Sequence, residues 1–200
     1  MARGRFIVFE GIDGAGKSTQ INALSARLLA MGHKVHHTAE PTALDTGRML
    51  RAALGGKEAR SPAEMAALFT LDRIAHNREI NAALEAGQDV ICDRYYYSSL
   101  AYQGSLCDFE WVRHMNCNCP DIRRPDLCVF LDLPPAVSLE RITARGGEKE
   151  IFESEETLTL VRKTFLSIFE DLPDNVAVID ATGTPDEVAA RVWAAVEPIL

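Results

Sequence analysis

Long uncharged apolar stretches are absent from this chain of 200 residues. Nowhere do about eighteen apolar residues follow one another without a charge, and residues 1–10 contain no apolar segment of the length that a secretory signal requires. We therefore expect neither a membrane-spanning helix nor a signal peptide. The sequence predicts a cytoplasmic protein that has no membrane partner.

Positive charge is also scarce. The chain has 21 Lys and Arg residues against 29 Asp and Glu residues, which gives a formal net charge of −8 and a pI near 5.1. Phosphate backbones attract clustered Lys and Arg side chains rather than a surplus of carboxylates. Nucleic acid is therefore not an expected partner.

Cysteine is present five times, an odd number in a chain that is large enough to fold without disulfides. Reduced thiols are the simplest interpretation. One cluster, His114 with Cys117 and Cys119, has a spacing that could bind a metal ion. A fourth ligand is not evident, and the segment is typical of a helix end and a loop before Pro120. Plain loop thiols are the simpler interpretation, and the metal site stays an open alternative.

Short β-branched or aromatic runs alternate with longer helical patterns along the chain. Strands are expected at 5–10, 34–38, 89–93, 126–133 and 175–180, and helices at 17–31, 61–86, 137–144 and 185–200. This alternation predicts an α/β fold, a three-layer α/β/α sandwich with a five-stranded parallel sheet and flanking helices. With 47% hydrophobic residues, the chain has enough apolar content for one core, and we expect a single domain over residues 1–200.

A phosphate-binding loop follows the first expected strand and precedes the first expected helix. It matches G-x-x-x-x-G-K-[ST] at every fixed position, over Gly11, Ile12, Asp13, Gly14, Ala15, Gly16, Lys17 and Ser18. Glycines allow backbone N–H groups to turn inward around phosphate oxygens, and the helix that follows adds its positive end. Lys17 would reach the β- and γ-phosphates, and Ser18 would offer a hydroxyl to Mg²⁺. ATP with Mg²⁺ is the expected ligand, whereas an ordinary strand-to-helix turn is the alternative.

The end of the third expected strand carries Asp93 and Arg94, at the sheet edge where ligands bind in this architecture. Asp93 could hold Mg²⁺ through water, and Arg94 could grip a phosphate with two hydrogen bonds. A surface ion pair is the alternative for these two residues. The chain has no Asn-Lys-x-Asp motif for reading a guanine base, so a GTPase switch is disfavoured.

Asp93-Arg94-Tyr95 runs into a segment that ends in Ala101-Tyr102-Gln103. Together with segments 9–20, 40–42, 68–69 with Arg73, 93–95, 98–104, 124–127, 130–134, 139–142 and 179–181, it makes the chain resemble the thymidylate kinases along nearly its whole length. The phosphate loop is generic to the fold of the P-loop NTPases, whereas the Asp93-Arg94-Tyr95 segment points to this family. The resemblance implies transfer of the ATP γ-phosphoryl group to dTMP, giving dTDP and ADP in dTTP biosynthesis.

The resemblance also implies the site residues. The loop residues 11–18, Thr19 and Thr182 would bind ATP, with Thr182 in a loop against the adenine. Expected dTMP contacts are Asp13, Phe69, Arg73, Arg94, Ser98, Ser99, Tyr102 and Gln103, expected catalytic residues are Lys17, Arg94, Asp13, Arg141 and Arg145, and expected metal residues are Ser18 and Asp93.

Several dTMP contacts have a particular role in this resemblance. Phe69 would stack on the thymine ring and Arg73 would donate to a base carbonyl, from one face of a helix. Taken alone, Phe69 would be assigned to the core. Asp13 would accept from the sugar 3′-hydroxyl and Arg94 would hold the acceptor phosphate. Ser98 and Ser99 would line the base pocket, and Tyr102 would lie beneath the sugar and disfavour a 2′-hydroxyl.

A lid is expected over residues 141–153, closing over ATP and excluding water. Arg141 and Arg145 are its candidate phosphate contacts, against the alternative of a solvated helix face. The resemblance further implies a homodimer built from helices that flank the sheet. Two positions depart from the family pattern: Ala39 stands where many members have arginine, and Lys149 stands near Glu150 where some bacterial members have a lid arginine.

Two other functions remain to be distinguished from dTMP phosphorylation. One is a kinase for another nucleoside monophosphate, such as UMP, CMP or AMP. The other is a module that binds ATP without transferring a phosphoryl group. Retention of Lys17, Asp93 and Arg94 favours catalysis, since the roles of these residues belong to phosphoryl transfer.

Overall fold

Five parallel strands form one sheet in the order β2-β3-β1-β4-β5. The computed structural model describes residues 3–145 and 154–200. The strands are β1 (Phe6–Glu10), β2 (Val35–Ala39), β3 (Asp89–Asp93), β4 (Leu127–Asp132) and β5 (Val176–Asp180). All four neighbouring pairs are parallel. The predicted α/β fold with a five-stranded parallel sheet is confirmed.

Eight α-helices flank the sheet within residues 3–145 and 154–200. They are α1 (Lys17–Ala30), α2 (Asp45–Leu54), α3 (Pro62–Glu85), α4 (Tyr96–Tyr102), α5 (Phe109–Cys117), α6 (Pro135–Arg145), α7 (Glu155–Asp171) and α8 (Pro185–Val196). None of the helices in this described part is long and apolar enough to cross a membrane.

Strand β1 lies in the middle of the sheet and is buried along its whole length. Val8 pairs with Cys92 of β3 on one side and with Cys128 of β4 on the other. A strand covered on both faces has no solvent side, which is why its sequence is a nearly continuous apolar run. Glu10 ends this run, so the chain enters the phosphate loop from the centre of the sheet.

Helix α3 begins where the sequence predicts. The Ser61 hydroxyl accepts from the Glu64 backbone N–H at 3.2 Å, and the Glu64 carboxylate accepts from the Ser61 N–H at 2.8 Å, a reciprocal capping box. Pro62 occupies the first helical position, where no N–H is needed. Helix α8 is shorter than expected, because Pro198 cannot continue the α-helical hydrogen bonds and a 3₁₀ turn over Glu197–Ile199 follows.

Three helices, α2, α4 and α7, were not expected from the sequence, and of α5 only the end near Cys117 was expected. Helix α2 contains Gly47, a poor helix former, where a Cβ atom would lie 1.9 Å from the Thr42 carbonyl oxygen. Helix α4 is buried at most positions and therefore has no amphipathic pattern. Helix α7 does carry apolar residues at helical spacing, with Leu158, Val161 and Phe165 buried on one side.

Phe165 joins α7 to the sheet through an aromatic cluster. Its ring lies 5.0 Å from the Phe130 ring of β4 and 5.9 Å from the Phe169 ring, measured between centroids. The Tyr102 ring of α4 meets it edge-on at 6.4 Å. Since Phe165 is fully buried, this cluster holds α4 against the body of the protein.

Three central strands end at the same edge of the sheet. Phe9 is paired with Asp93, and Glu10 is paired with Phe130, so the loops after β1, β3 and β4 leave side by side. These are the phosphate loop, the Asp93-Arg94-Tyr95 turn and the segment that leads into α6. In parallel sheets the ligand-binding crevice lies at this carboxyl edge.

Candidate active site

The phosphate loop has the backbone shape that its glycines permit. Gly11, Gly14 and Gly16 have φ values of 149°, 77° and 93°, in the region that L side chains rarely adopt. Gly14 also packs closely, because a Cβ atom there would lie 2.8 Å from the Ser138 carbonyl oxygen of α6. The Ser138 hydroxyl in turn donates to the Asp13 carbonyl oxygen. The loop is therefore supported from α6 as well as from β1.

Lys17 folds back across its own loop. Its Nζ donates to the Gly11 carbonyl oxygen at 3.1 Å and to the Ile12 carbonyl oxygen at 3.4 Å. Burial and the nearby Arg94 guanidinium lower the pKa of the Lys17 ammonium below its usual range. A phosphate anion would counteract both effects, so this lysine lies in a place that favours a negatively charged ligand.

Arg94 stands at the turn after β3 with a φ of 67°, and it is a non-glycine residue in the left-handed region. Its Nη1 donates to the Ser98 hydroxyl at 3.1 Å and its Nη2 donates to the Asp13 carboxylate. The guanidinium carbon lies 5.5 Å from the centre of the Tyr102 ring. Burial lowers the pKa of Arg94, but Tyr102, Asp13 and other acidic neighbours outweigh burial and raise it. The ion pair of Arg94 is thus with Asp13 rather than with Asp93, the partner considered from the sequence.

Asp13 therefore connects the phosphate loop to the Arg94 turn. Burial raises the pKa of its carboxyl, but the charges of Arg94 and Lys17 outweigh that effect and hold the pKa below its usual value. An ionised carboxylate at this place can accept a hydrogen bond from a hydroxyl group. This is the chemistry expected of a contact with a sugar 3′-hydroxyl.

Asp93 and Ser18 have donor atoms that suit a hydrated divalent cation. Asp93 Oδ1 is buried and has no hydrogen-bond partner among the described residues. The hydroxyl-bearing residue Ser18 is exposed in the first turn of α1, next to Lys17. Carboxylate and hydroxyl oxygens with bound water are the ligands that Mg²⁺ takes in phosphoryl-transfer sites.

Arg73 belongs to a buried polar cluster beneath the expected base pocket. Its Nε and Nη2 donate to the Glu40 carboxylate at 2.9 and 2.6 Å, and its Nη1 donates to Asn116 Oδ1. His76 Nδ1 donates to the other Glu40 oxygen at 3.0 Å. Phe69, one turn before Arg73 on α3, is half-buried and outside the fully buried core. The apolar residue that helical spacing would place in the core is therefore partly open to a ligand.

The remaining expected dTMP contacts lie on or next to α4. Ser99 is buried, and its hydroxyl accepts from Arg73 Nη2 at 3.2 Å, whereas the Ser98 hydroxyl is bonded to Arg94. Gln103 and Tyr102 are buried as well. Burial raises the pKa of Tyr102 to about 12, although Arg94 opposes this change. The structure thus places Ser99 beside Arg73, and Ser98 and Tyr102 beside Arg94, while Gln103 is buried directly after α4.

Arg141 and Thr182 lie on the other side of the phosphate loop. Arg141 Nη2 donates to the Ala181 carbonyl oxygen at 3.3 Å, and its Nη1 lies 4.0 Å from where a Cβ of Gly16 would be. The Thr182 N–H and hydroxyl donate to Asp180 at 2.9 and 2.7 Å, which shapes the loop after β5. The Arg145 side chain and the rest of the expected lid, residues 146–153, lie outside the described residues.

Two functional candidates were not assigned from the sequence. Glu40 lies in the matching segment 40–42 but had no expected role, because its contacts with Arg73 and His76 connect residues far apart in the chain. Glu10 is a fully buried carboxylate at the end of β1, and burial raises its pKa. A single acidic residue that ends a wholly apolar strand is the signal that could have identified Glu10.

The cysteine cluster at the end of α5 offers little to a metal ion. His114 Nδ1 donates to the Glu110 carbonyl oxygen at 2.7 Å. Among the residues with described positions, no group of three or more His, Cys, Asp or Glu side chains could hold a metal. All five cysteines are free thiols.

The phosphate loop and Arg94, which contacts Asp13 of that loop, lie at the same edge of the sheet. A phosphate-binding loop with a basic side chain beside it is typical of kinases of the P-loop class, which transfer a phosphoryl group between two small molecules.

The family model for thymidylate kinase matches residues 9–192. The thymidylate kinase of Desulfovibrio desulfuricans is 41% identical over 98% of this chain and 96% of its own length. The probable thymidylate kinase of Pyrococcus horikoshii is 38% identical over 98% and 97%. The solved structure of thymidylate kinase from Candida albicans superimposes with a TM-score of 0.83 at 27% identity, covering 99% of this chain and 93% of that one. The chain belongs to the thymidylate kinase family.

Proposed function

We propose that this protein transfers the γ-phosphoryl group of ATP to dTMP, giving dTDP and ADP, with the phosphate loop holding the donor and Arg94 holding the acceptor phosphate. The contact between Arg94 and Asp13 carries this proposal, because it joins the acceptor turn to the phosphate loop. Two nucleotides bound on either side of this contact would meet at their phosphate ends.

The donor side consists of the phosphate loop with residues of α1, α6 and the loop after β5. ATP would displace the Lys17 Nζ from the Gly11 and Ile12 carbonyl oxygens. The ammonium would then donate to the β- and γ-phosphates of ATP. Residues 11–19 supply backbone N–H groups and the helix end. Arg141 lies between the loop and Ala181, so the adenine would lie near Thr182. Arg145 is proposed as a second cation from the lid.

The acceptor side consists of Arg94 and the residues around it. Arg94 would take the dTMP phosphate, and the ionised Asp13 would accept from the 3′-hydroxyl. Phe69 would stack on thymine while Arg73 donates to a base carbonyl, with Ser98, Ser99 and Gln103 at the pocket wall. Tyr102 would lie under the sugar, where a 2′-hydroxyl would be disfavoured. A flat ring face with one firmly held donor suits a pyrimidine.

Mg²⁺ is the proposed cofactor, held by Ser18 directly and by Asp93 through water. The unpartnered Asp93 oxygen fits this role, since a buried carboxylate oxygen without a donor is unfavourable until it gains one. When bound, the ion would neutralise phosphate charge. The transition state of the transfer is loose, so most of the catalysis comes from holding two mutually repelling anions in line.

We also propose that the protein acts in the cytoplasm as a single-domain homodimer. Free thiols are typical of a reducing compartment. Large apolar side chains are exposed on two helices that pack together, with Met49 on α2 and Leu71 on α3. A molar mass measured by light scattering that corresponds to one chain would contradict the dimer.

A coupled assay of ADP release tests the activity. With ATP and Mg²⁺ we expect rapid turnover of dTMP and much slower turnover of UMP, CMP and AMP. Comparable turnover of another monophosphate would reassign the substrate. ATP binding without transfer to any of the four would indicate a sensor rather than a kinase.

Arg94→Ala tests the acceptor assignment. The loss of a charge-assisted contact should weaken dTMP binding by about 1.5–3 kcal/mol. Arg113→Ala on α5 is the matched control, because Arg113 is exposed and pairs only with Glu110 among the described residues. If Arg94→Ala binds dTMP as tightly as the control does, Arg94 does not hold the acceptor.

A further inference from the structure

Glu10 is a fully buried carboxylate at the end of the central strand, directly below the Arg94 turn. Its Oε1 accepts from the Tyr95 N–H at 2.8 Å and from the Ser98 N–H at 3.1 Å. Its Oε2 accepts from the Ser98 hydroxyl at 2.7 Å. One side chain therefore satisfies two backbone donors at the start of α4 and the hydroxyl that contacts Arg94.

The Ser98 hydroxyl links Glu10 to the guanidinium. It donates to Glu10 and accepts from Arg94 Nη1, so the two charged side chains share one bridging group. The Arg94 backbone is in the left-handed region, which costs a non-glycine residue about 1 kcal/mol or more and needs support from its surroundings. That support comes from the Arg94 N–H, which donates to Phe9, and from Glu10, which holds the next residue, Tyr95.

We propose that Glu10 is the positioning residue of the acceptor site. Its carboxylate holds the Arg94 turn in its unusual conformation and, through Ser98, aims the guanidinium at the place where the acceptor phosphate lies. The inference rests on the proposed function of Arg94. It also assigns Ser98 to the support of Arg94, in addition to any contact with the base.

The burial of a charged group argues for this role over a purely structural one. An isolated carboxylate in a protein interior is unfavourable, and a neutral amide at the end of β1 could accept from the same two backbone N–H groups without burying a charge. Burial raises the pKa of Glu10, and the positive charges that oppose this rise are those of Arg94 and Lys17, the two cations of the proposed site.

Glu10→Gln tests the inference. The amide keeps an oxygen for the Tyr95 and Ser98 N–H groups but removes the charge and reverses the hydrogen bond to Ser98. Titration calorimetry with dTMP and with thymidine is the readout, because thymidine lacks the phosphate that Arg94 would hold. We expect dTMP affinity to fall about tenfold or more and thymidine affinity to stay unchanged. Glu110→Gln, an exposed change on α5, is the matched control.

A double-mutant cycle separates this inference from the proposed function. If Glu10 acts through Arg94, the pair Glu10→Gln and Arg94→Ala should bind dTMP no more weakly than Arg94→Ala alone. Unchanged dTMP affinity in Glu10→Gln, an equal loss of dTMP and thymidine affinity, or additive losses in the pair would overturn the inference while leaving the role of Arg94 intact. Unchanged affinity in Arg94→Ala would overturn both.

Ser98→Ala decides the question if Glu10→Gln does not fold. It removes the bridge and leaves both backbone hydrogen bonds to Glu10 in place. We expect weaker dTMP binding with unchanged thymidine binding, and recovery in Ser98→Thr, which restores the hydroxyl. An equal loss for both ligands would assign Ser98 to the base pocket alone and would overturn the positioning role.

Discussion

Breaking the Glu40–Arg73 pair should be one of the most destabilising single changes in this protein. Both side chains are almost completely buried, at 2% and 1% exposure, and the carboxylate accepts from Arg73 twice and from His76 once. Glu40→Gln would preserve the shape and most of the hydrogen bonds. The amide oxygen can still accept from Arg73, and a neutral imidazole can present an unprotonated Nδ1 to the amide NH₂.

The main effect of Glu40→Gln is therefore the loss of charge. A buried guanidinium without its counter-charge destabilises a protein by about 3–5 kcal/mol. In a chain of this size each kcal/mol lowers the melting temperature by about 2–4 °C, so the expected shift is about 6–20 °C. Because Arg73 is also the proposed donor to the thymine carbonyl, dTMP binding should weaken as well.

Denaturant unfolding measures the effect, with Glu110→Gln as the control. Glu110 pairs with Arg113 on the surface, at 58% and 40% exposure, where such pairs contribute about 0–1 kcal/mol. The midpoint should move in Glu40→Gln while the denaturant slope stays constant. A destabilisation as small as that of the control would refute this prediction, because it would show that something other than Glu40 compensates the Arg73 charge.

Three further predictions concern the phosphate loop and the core. Lys17→Ala should lower kcat by about 10²–10³-fold without weakening dTMP binding, because the ammonium contacts the donor phosphates and not dTMP. Steady-state kinetics and dTMP-binding assays measure the two quantities. Equal losses in kcat and in dTMP affinity would contradict the assignment of Lys17 to the donor side. The folded-state pKa of Asp13 is lowered, so the stability from its charge is present above the unfolded value of 3.8 and is lost as the pH falls below it. The difference in melting temperature between the wild type and Asp13→Asn should therefore be constant near neutral pH and shrink below about pH 4, and a difference independent of pH down to 3 would refute the pairing. Phe165→Ala should destabilise the protein by about 3–5 kcal/mol in urea unfolding, because it removes a ring from the aromatic cluster. Leu160→Ala, on the exposed side of the same helix, is the control and should have little effect. Similar losses of stability in both variants would exclude the aromatic cluster as the cause of the destabilisation.

Features that depend on neighbouring residues could be predicted from the sequence. The phosphate loop requires glycines at fixed spacing, and the start of α3 requires Ser61, Pro62 and Glu64 within four positions, so the order of residues contains the necessary information. Strands β1, β3 and β4 were predicted for the same reason, because buried parallel strands are short apolar runs, whereas the edge strands β2 and β5 are only partly buried. Helix α2 was not assigned because its glycine serves a contact with Thr42, which only the folded chain reveals.

The family resemblance indicated which residues would bind the acceptor, but it did not show which neighbouring residues fix their side chains in place. Phe69 and Arg73 share a helix face, as expected, yet one is half-buried and the other is enclosed by Glu40, Asn116 and Ser99. Those three partners come from different parts of the chain. The roles of Phe69 and Arg73 as ligand contacts stay predictions, which the substrate-binding experiments above test.

The sequence by itself determined that this chain forms a parallel α/β sheet with a phosphate loop, because glycine spacing, capping residues and apolar runs act over a few neighbouring positions. Only the tertiary structure decided which charges meet. Asp13 contacts Arg94 across 81 positions and Glu10 reaches Ser98 across 88, since the strand order places the ends of β1 and β3 side by side. Contacts of that kind depend on how the strands are ordered in space, and no local pattern of residues specifies that order.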